Sequence, residues 1–271
     1  MTKQRILTAG GIAVGIIAVL LLSGFSWVLP VVAAVMSLMG TYELLCITRI
    51  NCSKVWTWTY LILSVLIPLI PIPHYSQLVS ILPPISLVGF AVLMKRMEKA
   101  NIQNPIVILG FVVIVAMFFK AMTELRRLGN GFLYLTMAVL VCVMTDSAAY
   151  FFGRRFGKHK MAAKVSPKKT VEGSIGGTFS AIALMLLLGW VIELCGFGTV
   201  SFRMLIFWAL LATAIAQFGD LSMSVLKRIS GVKDFSNLFP GHGGILDRFD
   251  SSLFVIPFTV AYVSLRDGFI I

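Results

Sequence analysis

The sequence predicts an all-α, polytopic integral membrane protein of about nine transmembrane helices, with its polar chemistry gathered at helix ends on one side. Three observations carry that reading. Of 271 residues, 58% are hydrophobic and 13% are Asp, Glu, Lys or Arg, whereas a soluble domain carries about 25% charged residues. Mean hydropathy is +0.95, and the apolar residues fall in runs near the roughly twenty needed to cross a bilayer as a helix. The charged residues are crowded into a few connections.

Taken in order, the first span, 5–23, has the basic start of a secretory signal but no clear small-x-small cleavage site, and reads as an anchor. Spans 27–47 and 55–72 follow. Glu43 in the second lies one turn from the interface and is expected to snorkel. The fourth, 76–94, contains Pro83-Pro84, which remove backbone donors and predict a kink or break. Spans 103–120, 131–152, 173–195, 201–223 and 250–266 complete the set. Cys46, Cys52, Cys142 and Cys195 lack CxxC spacing and read as inert thiols. No repeat or low-complexity tail is present, and the connections are too short for a soluble domain. The chain divides into N-terminal helices, 1–130, and a region bearing the polar motifs, 131–271.

With nine spans, the connections after spans two, four, six and eight share the N-terminal side. That side holds 18 of the 23 Lys and Arg residues. The bias places the N-terminus and the charged loops in the cytoplasm of a protein of the cell (inner) membrane.

Two loops hold most of the polar residues: "GRRFGKHKMAAKVSPKKTVEGSIGG" from Gly153 and "SVLKRISGVKDFSNLFPGHGGILDRFDSS" from Ser224. Asp146 and Asp220 lie near the cytoplasmic ends of apolar spans, where an ionised group costs at least about 2.5–3.5 kcal/mol. An interhelical ion pair is one account of them, a chemical role the other. Asp220, Ser224 and Lys227 share a helix face by their spacing. Asp247 and Asp250, three apart, face one site if they open the last helix, although helix N-termini favour carboxylates for electrostatic reasons alone.

Carboxylates, cations and glycines together suit polyphosphate chemistry. Mg²⁺ takes hard oxygen ligands from one or two carboxylates plus phosphates and water. Lysines and arginines neutralise charge on a departing pyrophosphate. Glycines let backbone N–H groups approach phosphate oxygens. Lys168 and Lys169 precede a helix expected to begin near Thr170, whose N-terminus itself favours anions. Blander readings stand beside these. Lys158, Lys160 and Lys164 read as topology signals or anionic-lipid contacts, and His159 as a solvated loop residue. His242, between Gly241 and Gly243, either orders its loop or takes part in chemistry. Gly173 and Gly177 carry small-xxx-small spacing, a sign of close helix packing.

The second block resembles the CDP-diacylglycerol synthases, the integral-membrane phosphatidate cytidylyltransferases, whose pattern runs Ser-x-x-Lys-Arg, Lys-Asp, then Pro-Gly-His-Gly-Gly-x-x-Asp-Arg-x-Asp; each element is present from Ser224 to Asp250. The first block is similar to the same family in Asp-x-x-Ala-Tyr and Ser-Pro-Lys-Lys-Thr-x-Glu-Gly. Before residue 130 the resemblance rests on hydropathy.

The resemblance implies cytidylyl transfer from CTP to phosphatidate with release of pyrophosphate, Mg²⁺ (more than one ion), a homodimer among membrane lipids, and no nucleic-acid partner. On that basis Asp220, Asp247, Asp146 and Asp250 are expected to ligate metal. Asp220, Asp247, Lys227, Arg228, Lys168 and Lys169 are expected to be catalytic. Lys233, Asp234, His242, Gly243, Gly244, Arg248 and Glu172 are the expected substrate-binding set. A CTP-dependent lipid kinase of the dolichol type would use similar residues. A secondary transporter would place its acids near the midplane and repeat its halves.

Overall fold

The structure is a computed structural model that describes residues 3–48, 53–95, 104–239, 241, 243–266 and 268–270. Apolar runs become helices in the expected order: α1 (Lys3–Leu22), α2 (Val28–Thr48), α3 (Lys54–Leu69), α4 (Tyr75–Lys95), α5 (Pro105–Arg127), α6 (Gly131–Phe156), α7 (Val171–Leu194), α8 (Phe202–Ile229), α9 (Ile245–Phe249) and α10 (Ser252–Arg266). Among the described residues, five helices, α2, α5, α6, α7 and α8, are long and apolar enough to cross a membrane. Outward-facing Leu21, Trp58, Phe179 and Leu194 are exposed, as suits side chains that meet lipid rather than water. The protein is a multi-pass, mainly helical membrane protein.

Four local features depart from the expectations. A small antiparallel hairpin, β1 (Lys160–Ala162) and β2 (Ser166–Thr170), interrupts the otherwise all-α chain between α6 and α7. Helix α4 runs continuously from Tyr75 to Lys95 through Pro83-Pro84, so of the expected kink or break the break does not occur. Helix α5 does not stop at residue 120 but continues to Arg127. Lys120 is therefore inside the bundle, 1% exposed, where it pairs with Glu124 at 3.2 Å and donates to the Ile70 carbonyl at 2.7 Å. Asp247 and Asp250 do not open the last helix: Asp247 belongs to a separate short helix, α9, and α10 opens only at Ser252.

Local chemistry explains the helix starts that matter for the site. Asn104 caps α5 by accepting from the Ile106 N–H at 2.9 Å, with Pro105 at the first helical position. Thr170 caps α7 by accepting from the Gly173 N–H at 3.2 Å. Helices α6 and α7 then pack backbone to backbone. A Cβ on Gly173 would lie 2.6 Å from the Ala149 carbonyl oxygen, and one on Gly177 2.7 Å from that of Thr145. The small-residue spacing is thus a packing device, and it sets the start of α7 beside the polar turn of α6. The core is built around α5, whose Phe118 meets Phe254 of α10 edge-on at 5.2 Å and whose Phe119 meets Phe249 at 6.2 Å.

Candidate active site

A cavity of about 440 Å³ opens between α6, the hairpin, α7, α8 and α9. Helix α6 contributes Asp146, β2 contributes Lys168 and Lys169, and α8 contributes Gln217 and Asp220. Asp247, Arg248 and Asp250 enter from α9 and its end. Residues separated by more than a hundred positions are thereby brought to one space, and both polar blocks of the sequence share it.

The partners of these groups divide them. Asp220 pairs with Lys169, both about one-fifth exposed, and stands 3.4 Å from the Ser224 hydroxyl one turn along α8. Asp146 accepts from the Ser251 hydroxyl at 3.1 Å, and Asp250 from the Ser251 N–H at 2.8 Å. Asp247 is far more committed. One oxygen takes Lys227 Nζ at 2.7 Å; the other accepts from the Phe235 N–H at 2.7 Å and the Gly244 N–H at 2.9 Å. Both members of the Lys227–Asp247 pair are buried, so each satisfies a charge that would otherwise be stranded.

The Gly-Gly step has a definite cause. Gly243 adopts φ +78°, and a Cβ there would lie 2.6 Å from the Asp247 carboxylate. A Cβ on Gly244 would collide with the carboxylate of Glu43. Glycine does admit a close anionic approach here, by two carboxylates of the chain itself.

The sequence predicts Glu43 near the interface; the structure buries it at 3% exposure. Its carboxylate accepts from the Ser236 hydroxyl at 2.7 Å, the Ile245 N–H at 2.8 Å and the Leu246 N–H at 2.9 Å. With Asp247 on the Gly244 N–H, the two acids take the Gly244, Ile245 and Leu246 N–H groups at the start of α9. Gly40, one turn before Glu43, lets Leu246 approach: a Cβ there would lie 3.0 Å from the leucine methyl. Gln217 was also missed. Its amide bonds Thr178 at 3.1 Å and the Ser174 hydroxyl, joining α8 to α7 at the cavity wall. An amide one turn before Asp220 in an apolar helix was the available signal.

Other expected residues stand away from the cavity. Arg228 donates to the Val165 and Val232 carbonyls, each at 3.2 Å, and so ties the end of α8 to the hairpin. Lys233 and Asp234 are exposed. Glu172 accepts from the Lys158 and His159 N–H groups and meets His159 Nδ1 at 2.6 Å. His242 lies outside the described residues.

The donor set suits a hard dication: Asp146, Asp220 and Asp250 present carboxylate oxygens to one cavity. Among the described residues, no three His, Cys, Asp or Glu side chains stand together as a ready metal cluster. A dication there would therefore need phosphate and water to complete its shell, which is how Mg²⁺ is commonly held.

The profile of the cytidylyltransferase family matches residues 3–266. The chain belongs to that family. It is 34% identical over 263 residues to the phosphatidate cytidylyltransferase of Staphylococcus aureus (strain COL), covering 94% of this chain and 96% of that one. It is 39% identical over 183 residues to that of Bacillus subtilis (strain 168), covering 65% and 66%. Because the family match begins at residue 3, this cytidylyltransferase is related to its family through the N-terminal helices too, including the one that carries Glu43.

Proposed function

We propose that the protein transfers the cytidylyl group of CTP to phosphatidate. An oxygen of the lipid phosphate attacks the α-phosphorus, a P–O bond forms there, and the bond to the β-phosphate breaks to release pyrophosphate. The observation that carries this reading is the meeting of Asp146, Asp220, Asp250, Lys168, Lys169 and Arg248 around one cavity in a bundle of membrane helices. A phosphate monoester is largely ionised near neutral pH, its second pKa being about 6, so no strong general base is required.

The difficulty is bringing two polyanions together, and that is the task of the cations. Lys168 and Lys169 sit where they would steady the leaving pyrophosphate, and Arg248 where it would orient a phosphate. Asp146, Asp220 and Asp250 would hold Mg²⁺, one ion or more, with phosphate and water completing each shell. Bound there, Mg²⁺ would supply charge neutralisation and in-line positioning of phosphates. Asp247 and Lys227 would act by holding α9, and Arg228 by holding the hairpin. Lys233, Asp234, Gly243, Gly244 and Glu172 would shape the loops around the substrates.

The charge bias supports an N-terminus and polar loops in the cytoplasm, where CTP is found, in the cell membrane. Homodimerisation is the remaining expectation, and cross-linking in native membranes tests it.

Incubation of purified protein with α-labelled CTP and phosphatidate tests the reaction. Label entering lipid supports cytidylyl transfer, and label recovered only as CDP would assign a lipid kinase.

A further inference from the structure

A second cavity, about 450 Å³ and almost wholly apolar, lies on the other side of α9. Its walls include Gly11 and Gly15 of α1, Val32 of α2, Val139 of α6, and Ile245 and Phe249 of α9. The volume falls in the range of ligand pockets. The two glycines, four apart on one face of α1, leave it open: a Cβ on either would meet nothing within 4 Å.

Helix α9 is thus a partition. Ile245 and Phe249, spaced i and i+4, face hydrocarbon space, while Asp247 and Arg248 line the polar cavity. At five residues α9 is only about 7.5 Å long. A phosphate site and an apolar chamber therefore adjoin across one and a half helical turns. A molecule that carries a phosphate and a hydrocarbon chain a glycerol apart matches that pairing. A water-soluble nucleotide matches only one half of it.

We propose that the apolar cavity holds one acyl chain of the phosphatidate while its phosphate occupies the polar cavity across α9. This rests on the cytidylyltransferase reading and deepens it by naming where the lipid is gripped. The grip makes chain length a determinant of turnover, because the chain anchors the phosphate beside Arg248.

The test compares kcat/KM for dioleoyl and dioctanoyl phosphatidate with purified protein in detergent micelles. Gly15→Leu from α1 and Val32→Phe from α2 each fill the cavity. Each is expected to lower the long-to-short ratio by about tenfold, the scale on which apolar pockets sense a few methylenes. Val14→Phe, on the exposed face of α1, is the control and should leave the ratio at the wild-type value. An unchanged ratio in folded Gly15→Leu and Val32→Phe would overturn the assignment. Should both variants fail to fold, wild-type protein still decides. Phosphatidate with a diazirine near the end of one chain should label peptides of α1, α2 or α9. Labelling elsewhere, or equal labelling by a similarly tagged phosphatidylcholine, rejects a substrate site in favour of ordinary membrane lipid. Transfer with an intact ratio sinks the cavity assignment alone; no transfer to either phosphatidate sinks the enzymatic reading with it.

Discussion

The acids of this protein fall into two groups whose surroundings are opposite. Glu43 and Asp247 each accept three hydrogen bonds, from backbone N–H groups and from Ser236 or Lys227. Asp146, Asp220 and Asp250 face the polar cavity with fewer partners: the hydroxyl or N–H of Ser251, the ammonium of Lys169, and Ser224 at the long distance of 3.4 Å. A carboxylate with three of its roughly four acceptor sites taken by its own chain is placed to act as a clamp. One that keeps oxygens facing a cavity has capacity for an incoming ligand. Motif spacing alone cannot separate the two, since Asp247 and Asp250 look equivalent in the sequence.

The largest expected effect comes from the clamp. Asp247→Asn sets an amide N–H₂ against donors on Lys227, Phe235 or Gly244 and leaves a buried ammonium poorly paired. Unfolding in detergent should report a loss of about 3–5 kcal/mol, the usual cost of breaking a buried pair. Wild-type stability with lost activity would move Asp247 into the open group. Next comes Asp220→Asn, which should fold normally and lower kcat by about 10²–10³, equivalent to about 2.7–4 kcal/mol of transition-state stabilisation. Lys169→Ala should follow it, with kcat and kcat/KM falling together. A variant of Asp220 that loses stability but turns over normally per folded molecule would erase the distinction.

Glu43→Gln keeps the shape but turns one acceptor into a donor facing an N–H. A loss of about 1–3 kcal/mol in stability is expected, read as a lower unfolding midpoint. Lys168→Ala should be mildest. Its side chain is exposed, and exposed charge contacts contribute about 0–1 kcal/mol, so kcat should fall about fivefold or less. A hundredfold fall would place Lys168 on the leaving group as firmly as Lys169.

The helices were legible because hydropathy is local: an apolar run of about twenty residues reports itself whatever it packs against. The same averaging hid Lys120. One cation barely changes a window; Glu124, four residues on along α5, lies within reach of spacing alone, but the Ile70 carbonyl just after α3 becomes a partner only in the folded bundle. The two polar blocks were legible as one chemistry by residue type, and the cavity does unite Asp146, Lys168, Lys169, Asp220, Arg248 and Asp250. Their division of labour was not, because saturation depends on where N–H groups point. The hairpin escaped notice for another reason: Ser166–Thr170, with a proline and two lysines, lacks the alternation that marks a strand. Glu43 was seen as an oddity, but its partners lie roughly two hundred residues away, beyond any periodicity argument.

That separation has a consequence for how the protein is made. Glu43 is added to the chain 202 residues before Ile245. At about 5–20 residues per second, the carboxylate of Glu43 waits roughly 10–40 s for its first α9 partner. During that interval the nascent bundle carries an acid with no lasting backbone donor, and the remaining helices are inserted around it. Arrival of α9 ends the wait, so a segment synthesised late locks one of the first to enter the membrane.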